Sequence, residues 1–234
     1  MSLYFSHITP AEGQLRSALH QRMDGSYADH QWLWRWFPAE SGSARDFVFR
    51  RHDVEGAPGF YVVSKRPPEG RLGDWQARTR DYAPQVSAGE LLSFELRANP
   101  TVRHGRDGKA KRHDVVMEAK RQLLAERGLQ RWADLAGESS DAPPALYNLV
   151  QQRCGAWLAR QGERCGFAID ADSLRVEAYQ RHSEGKDRQL QFTTVDFSGQ
   201  LTVTDPTTFA AALATGIGHA KAFGCGLLLI RREG

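Results

Sequence analysis

The chain has 234 residues, 41% hydrophobic and 25% charged, a globular composition with apolar material for a sizeable core, which excludes disorder and fibrous structure. No apolar run approaches the roughly 18 residues that span a bilayer, and the start MSLYFSHITP lacks the basic-then-apolar order of a secretory signal, so a cytoplasmic protein with no membrane partner is expected. Net charge is only +3, and the three cysteines, Cys154, Cys165 and Cys225, fall in no CxxC pair; they read as small buried residues, with no disulfide framework and no metal site.

In chain order, a short apolar strand at Leu3 to Ile8 precedes a helical region from about Pro10 to Phe37, broken near Asp24-Gly25. Strands are predicted at Asp46 to Arg51 and Gly59 to Ser64, then an irregular stretch rich in Pro, Gly and Arg, then a strand at Leu91 to Leu96. The second half opens with a strand at Asp114 to Met117 and helices at about Glu118 to Arg127 and Leu146 to Arg160. Strands at Leu174 to Tyr179 and Gln189 to Phe197 flank a turn SEGKD, the second bending through Ser198-Gly199 into Gln200 to Val203. A helix from Pro206 to about Ala214, capped by Asp205, a glycine-rich loop over 216–226 and a strand at Leu227 to Ile230 close the chain. Helices and antiparallel strands interleave twice, which predicts an α+β fold of two tandem ferredoxin-like (βαββαβ) domains. The N-terminal one is placed at 1–100, a basic linker at 101–115 and the C-terminal one at 116–234; the role of the expanded segment between Leu129 and Gly166 is open.

The 31 basic residues comprise 25 Arg and 6 Lys, and the Arg fork suits phosphate. A GC-rich genome would inflate Arg in the same way, so position is the better guide. Arg97, Arg103, Arg106, Lys109, Lys111 and Arg112 face the single acid Asp107, a local charge of +5 that leaves −2 for the remainder. With Pro100, Gly105 and Gly108 this window reads as a loop able to follow a phosphate backbone, or as a solvated linker. A second cluster, Arg175, Arg181, His182, Lys186 and Arg188, reads as a basic hairpin.

In DGSYADHQWLWRWFP, Ser26 and Asp29 have capping-box spacing, so a helix is predicted from Tyr27, stopped by Pro38 and anchored by Leu33, Trp34 and Phe37. Tyr27 and His30 are neighbours in its first turn, where free backbone N–H groups and the helix dipole suit a phosphate and disfavour imidazolium. A neutral histidine there can take the proton of a ribose 2′-hydroxyl, with the tyrosine orienting the nucleophile and no metal required. The alternative is a packing histidine in an aromatic-rich helix; His20, His52 and His219 have less defined settings. GIGHAKAFGCGLL, with Gly216, Gly218, Gly224, Gly226 and a central Lys221, fits neither a Rossmann nor a Walker pattern. It is a loop open to a polyanion or a tight structural turn.

Together, the tyrosine-histidine helix start with LWRWFP, RDFVFR at 45–50, FELRANP at 94–100, VDFSGQLTVTD at 195–205 and GIGHAKAFGCGLL at 216–228 resemble the CasE family of CRISPR-associated endoribonucleases over nearly the whole chain. The resemblance implies two ferredoxin-like domains and a metal-independent nuclease, without small-molecule cofactor, that cuts precursor CRISPR RNA at the 3′ base of the repeat stem-loop. The products would carry a 5′-hydroxyl and a 2′,3′-cyclic phosphate, and the RNA would stay within Cascade beside other Cascade subunits. His30 and Tyr27 occupy the family's catalytic positions, and Arg35 a position where family members carry an RNA-contacting base. The hairpin with Arg181, Lys186 and Arg188 would meet the stem, an assignment by region only. RNA contacts are also expected from Arg97 to Arg112 and from Gly216, Gly218, Lys221, Gly224 and Gly226. The competing reading is a non-catalytic CRISPR RNA-binding scaffold of the same fold.

Overall fold

The computed structural model describes residues 2–20, 25–40, 42–54, 56–106, 109–132, 134, 146–184 and 190–232. Its first half runs β1 (Tyr4–Pro10), α1 (Leu15–His20), α2 (Gly25–Trp34), β2 (Phe47–Val54), β3 (Ala57–Ser64), β4 (Arg71–Leu72) and β5 (Trp75–Asp81). The sheet order is β2-β3-β1-β5-β4, with every pairing antiparallel. Strand alternation sorts the side chains: Ile8, Phe47, Phe49, Phe60, Val62 and Trp75 are buried in one core with Trp32, Leu33, Trp36 and Phe37 of α2 and the turn after it. β5 lies in the stretch predicted to be irregular. Its inward positions hold Ala77 and Thr79 after Trp75, and its other positions Gln76, Arg78 and Arg80, so its alternation carries little apolar contrast.

The second half runs β6 (Leu91–Ala98), β7 (Thr101–Arg106), β8 (Lys109–Asp114), α3 (Val115–Glu126), α4 (Leu146–Cys165), β9 (Phe167–Ile169), β10 (Arg175–Glu184), β11 (Leu190–Val203), α5 (Pro206–Thr215), a 3-10 turn at Lys221–Phe223 and β12 (Leu228–Arg232). Its sheet is ordered β10-β11-β6-β12, with β9 also on β11. Counting the long strands of each sheet in chain order, both sheets read 2-3-1-4, the ferredoxin-like arrangement; only the second half has both crossover helices.

Several sequence expectations are corrected by these pairings. The strand at Leu91–Ala98 pairs with β11 and β12, so it begins the second sheet and does not close the first. Residues 101–106 and 109–114 pair as an antiparallel ribbon, Thr101↔Asp114 to Arg106↔Lys109, in place of an irregular linker. The strand predicted at Asp114 to Met117 is the start of α3: Asp114 accepts from the N–H groups of Val116 (2.9 Å) and Met117 (2.8 Å), and this cap outweighs the β preference of two valines. α2 begins at Gly25 rather than Tyr27, α4 continues to Cys165, and β11 passes Ser198-Gly199 without interruption. Asp205 caps α5 as expected, and Cys165 is only half-buried while Cys154 and Cys225 are buried.

The two sheets meet through Val48, Val63 and Leu227, through an Arg50–Glu95 ion pair at 3.2 Å, and through the glycine-rich loop. Gly216 and Gly226 have φ of +75° and +93°, and a Cβ on Gly226 would stand 2.7 Å from the Ile217 carbonyl oxygen. Gly226 N–H donates to Arg97 O (2.7 Å) and Ile217 N–H to Gly226 O (2.8 Å). Gly226→Ala is therefore expected to lower stability by about 1–3 kcal/mol in a denaturant titration. Gly70→Ala, whose added Cβ would meet nothing within 4 Å, should change it by less than about 0.5 kcal/mol.

Candidate functional site

The site assembles where α2 of the first sheet meets the glycine-rich loop of the second. β2 supplies its floor. Along this strand Phe47, Phe49 and Arg51 project toward α2, and Arg45, just before it, continues the same alternation. The Arg51 Nη1 group donates to both Asp29 oxygens at 3.2 Å; Asp29 is 3% exposed, so this pair pins the first half of α2 to β2. The capping reading of Asp29 did not include this partner.

His30 follows Asp29 and packs half-buried against Phe47, ring centroids 6.4 Å apart. Its Nε2 accepts a hydrogen bond from the Trp34 indole N–H at 3.2 Å, which places the proton of the neutral ring on Nδ1. That Nδ1 is buried and has no hydrogen-bond partner among the described residues. Burial first, and the Arg45 guanidinium second, hold His30 below the ordinary histidine range. Because α2 starts at Gly25, His30 stands in the second turn, beyond the reach of the free N-terminal amides. The neutral imidazole expected from the helix dipole is thus produced by desolvation and a neighbouring cation. Tyr27 is on α2 one turn before His30; its side chain lies outside the described residues.

Arg45 is the residue that sequence reasoning missed. Its Nε is buried without a hydrogen-bond partner among the described residues, and its charge is felt by both His30 and Lys221. The detectable signal was its spacing of two from Phe47, which puts it on the helix-facing side of the strand. Lys221 comes from the second half, at the start of the 3-10 turn, where its Nζ donates to Thr215 O at 2.8 Å. Burial and Arg45 push its ammonium below the usual lysine range, with Cys165 opposing.

On the other side of Lys221 lies a cavity of about 530 Å³, lined among others by Arg103, Arg112, Arg164, His219 and Gly218. Arg103 and Arg112 are exposed and stand directly opposite in the β7–β8 register. Gly216 also lines this cavity, while Gly224 and Gly226 are buried in the loop's own packing, Gly224 against Phe49.

The remaining expected contacts are scattered. Arg97 forms a bidentate cross-strand pair with Asp196, at 2.8 and 2.7 Å, so its fork is committed within the sheet. Arg35 is exposed just after α2, and Arg181 is exposed on β10 with Gln191 as its partner. Lys186 and Arg188 lie outside the described residues, as do the side chains of Arg106, Lys109 and Lys111, whose backbones belong to the ribbon. Of the rival histidines, His52 stacks on Tyr61 and His7 and is held down to about 4 by burial and by His7, on a sheet face away from α2. Among the described residues, no helix is long and apolar enough to cross a membrane.

Breaking the Asp29–Arg51 pair from one side takes the guanidinium away from a buried carboxylate. Arg51→Met should cost about 3 kcal/mol in denaturant unfolding, and adding Asp29→Asn should recover most of that loss.

The family model described as CRISPR associated protein matches residues 3–232. The Cascade subunit CasE of Escherichia coli K12 is 27% identical over 204 residues, covering 86% of this chain and 89% of that one. The CRISPR-associated endoribonuclease Cse3 of Thermus thermophilus is 28% identical over 166 residues, 67% of each chain. A solved structure of CRISPR endoribonuclease Cse3 bound to 19 nt RNA superposes with a TM-score of 0.68 at 22% identity, covering 99% of this chain and 100% of that one, a likeness of fold.

Proposed function

The chain belongs to the CRISPR-associated protein family, and on that premise we propose that it is a CRISPR repeat endoribonuclease that works with a Cascade complex. The relatives carrying these activities by name are the Cascade subunit CasE and the endoribonuclease Cse3. In this reading the chain binds the repeat stem-loop in the cytoplasm, cuts at the 3′ base of the stem and retains the product RNA among the other Cascade subunits.

The observation that carries the proposal is the grouping of His30, Arg45 and Lys221 at the junction of the two sheets. Arg45 lies within electrostatic reach of both His30 and Lys221, and cations so placed next to a neutral imidazole suit a reaction in which negative charge gathers on a phosphate. The 2′-hydroxyl of the scissile nucleotide attacks its own phosphorus, the bond to the 5′-oxygen breaks, and a 2′,3′-cyclic phosphate and a 5′-hydroxyl result. No metal takes part in this scheme. His30 supplies the proton traffic. Its Nε2 becomes the base toward the ribose once it exchanges the Trp34 indole for the 2′-hydroxyl, and the imidazolium so formed returns a proton from Nε2 to the leaving 5′-oxygen. The bond released is a single 3.2 Å contact, of the order of 1 kcal/mol. Tyr27 orients the nucleophile from the preceding turn, and Arg45 and Lys221 stabilise the charged phosphorane.

Two outcomes follow. Cleavage of cognate repeat RNA should proceed in EDTA and fall about 10²- to 10⁴-fold in His30→Ala; dependence on magnesium, or full activity in the variant, refutes the scheme. Burial and then Arg45 hold the His30 pKa down, so the low-pH limb of kcat/KM should lie below the ordinary histidine range. In Arg45→Gln that limb should move to higher pH, because removing a positive neighbour restores affinity for the proton.

A further inference from the structure

The cavity beyond Lys221 is lined by the lysine that neighbours Arg45, the cation next to His30. Its basic side chains come from three places: Arg103 and Arg112 from the ribbon, Arg164 from the last turn of α4, and His219 and Lys221 from the glycine-rich loop. Among its described lining residues none is acidic. Two like charges directly opposite on a ribbon repel, and here the ribbon places Arg103 against Arg112 with Arg164 on the facing helix. Such an arrangement is relieved by a bound anion. Gln161, half-buried on α4, adds a neutral donor and acceptor to the lining.

Size decides what kind of anion. A recess of about 530 Å³ falls within the range of small-ligand pockets and takes one nucleotide, whereas a base-paired stem cannot enter it. Position decides its source: Lys221 lines the cavity and neighbours Arg45, the cation next to His30, so a strand whose scissile phosphate sits at His30 can carry an adjacent unpaired residue to it.

We propose that this cavity is a second phosphate subsite, which takes one nucleotide and its phosphodiester from the single strand flanking the cut bond. The proposal rests on the endoribonuclease reading above. His219 serves as an internal reporter, since Arg112, Lys221 and Arg164 add to burial in keeping it neutral, and an arriving phosphate reverses their effect.

The test uses the full chain and repeat stem-loop RNA made uncleavable by a 2′-deoxy scissile nucleotide, with the unpaired flank on each side of the cut removed in turn. For one flank, the flanked RNA should bind more tightly than the bare stem, with a log–log salt dependence steeper by about 0.7, the value for one single-strand phosphate. Arg164→Gln and His219→Gln should each erase that increment, while Arg164→Lys should keep most of it. Near pH 6 the flanked RNA should also bind with greater proton uptake than the bare stem. A salt slope indifferent to both flanks overturns the subsite, as does an equal loss of affinity for flanked and bare RNA in the two glutamine variants. Saturable, Arg164-dependent binding of a free mononucleotide without any flank effect assigns the cavity to a small molecule and overturns it as well. Failure of the wild-type protein to bind or cut the repeat RNA at all refutes the endoribonuclease reading itself, and the subsite with it.

Discussion

The site depends on a loop that folds back upon itself between two sheets. Gly216 and Gly226 approach so closely that a Cβ on either would meet backbone, 2.9 Å from Gly226 O in one case and 2.7 Å from Ile217 O in the other. Gly216 also lies where a Cβ would stand 3.0 Å from Val48, and a Cβ on Gly224 would stand 3.4 Å from Phe49, so the same loop is seated on β2. β2 is the outer strand of its sheet, and Arg51 on it, with Arg45 just before it, faces α2. By gripping that edge, the loop delivers Lys221 to the helix bearing His30. Without this closure the two halves would each keep a core but share no site.

Electrostatics follows from that geometry. Cations gathered on purpose around a half-buried histidine cost stability in the absence of an anion, and the structure offsets part of that cost elsewhere. Asp29 absorbs Arg51, Asp196 absorbs Arg97, and the Thr215 carbonyl takes the Lys221 ammonium. Arg45 receives no such partner at its Nε among the described residues. A cation is thus kept beside an imidazole held neutral, which is the requirement for moving a proton next to a phosphate.

Much of this was legible in the residues, for physical reasons that can be named. Strands such as Leu91–Ala98, with Leu92, Phe94, Leu96 and Ala98 buried in strict alternation, announce themselves, and the Asp205-Pro206 cap is a local signal that needs no tertiary information. The sheet to which a strand belongs is a long-range choice, and Leu91–Ala98 was accordingly placed in the wrong half. β5 was missed because Arg78 and Arg80 flank only Ala77 and Thr79. Composition likewise overstated the basic window as loop, since Gly105 and Gly108 read as breakers while the ribbon register held. At the site, His30 was identifiable from its helix and Lys221 from its glycines. Arg45 was hidden because its importance lies in what packs against it, and Asp29 because capping and ion pairing share one spacing.

The central claim is that His30 acts on a ribose hydroxyl, so the reaction is a property of RNA and not of phosphodiesters in general. The most direct measurement replaces the single 2′-hydroxyl at the scissile nucleotide of the cognate repeat RNA with hydrogen and compares binding and cleavage with the unmodified RNA. The account predicts binding close to that of the unmodified RNA and no cut at that position. Cleavage of the deoxy-substituted RNA at the normal rate would contradict it.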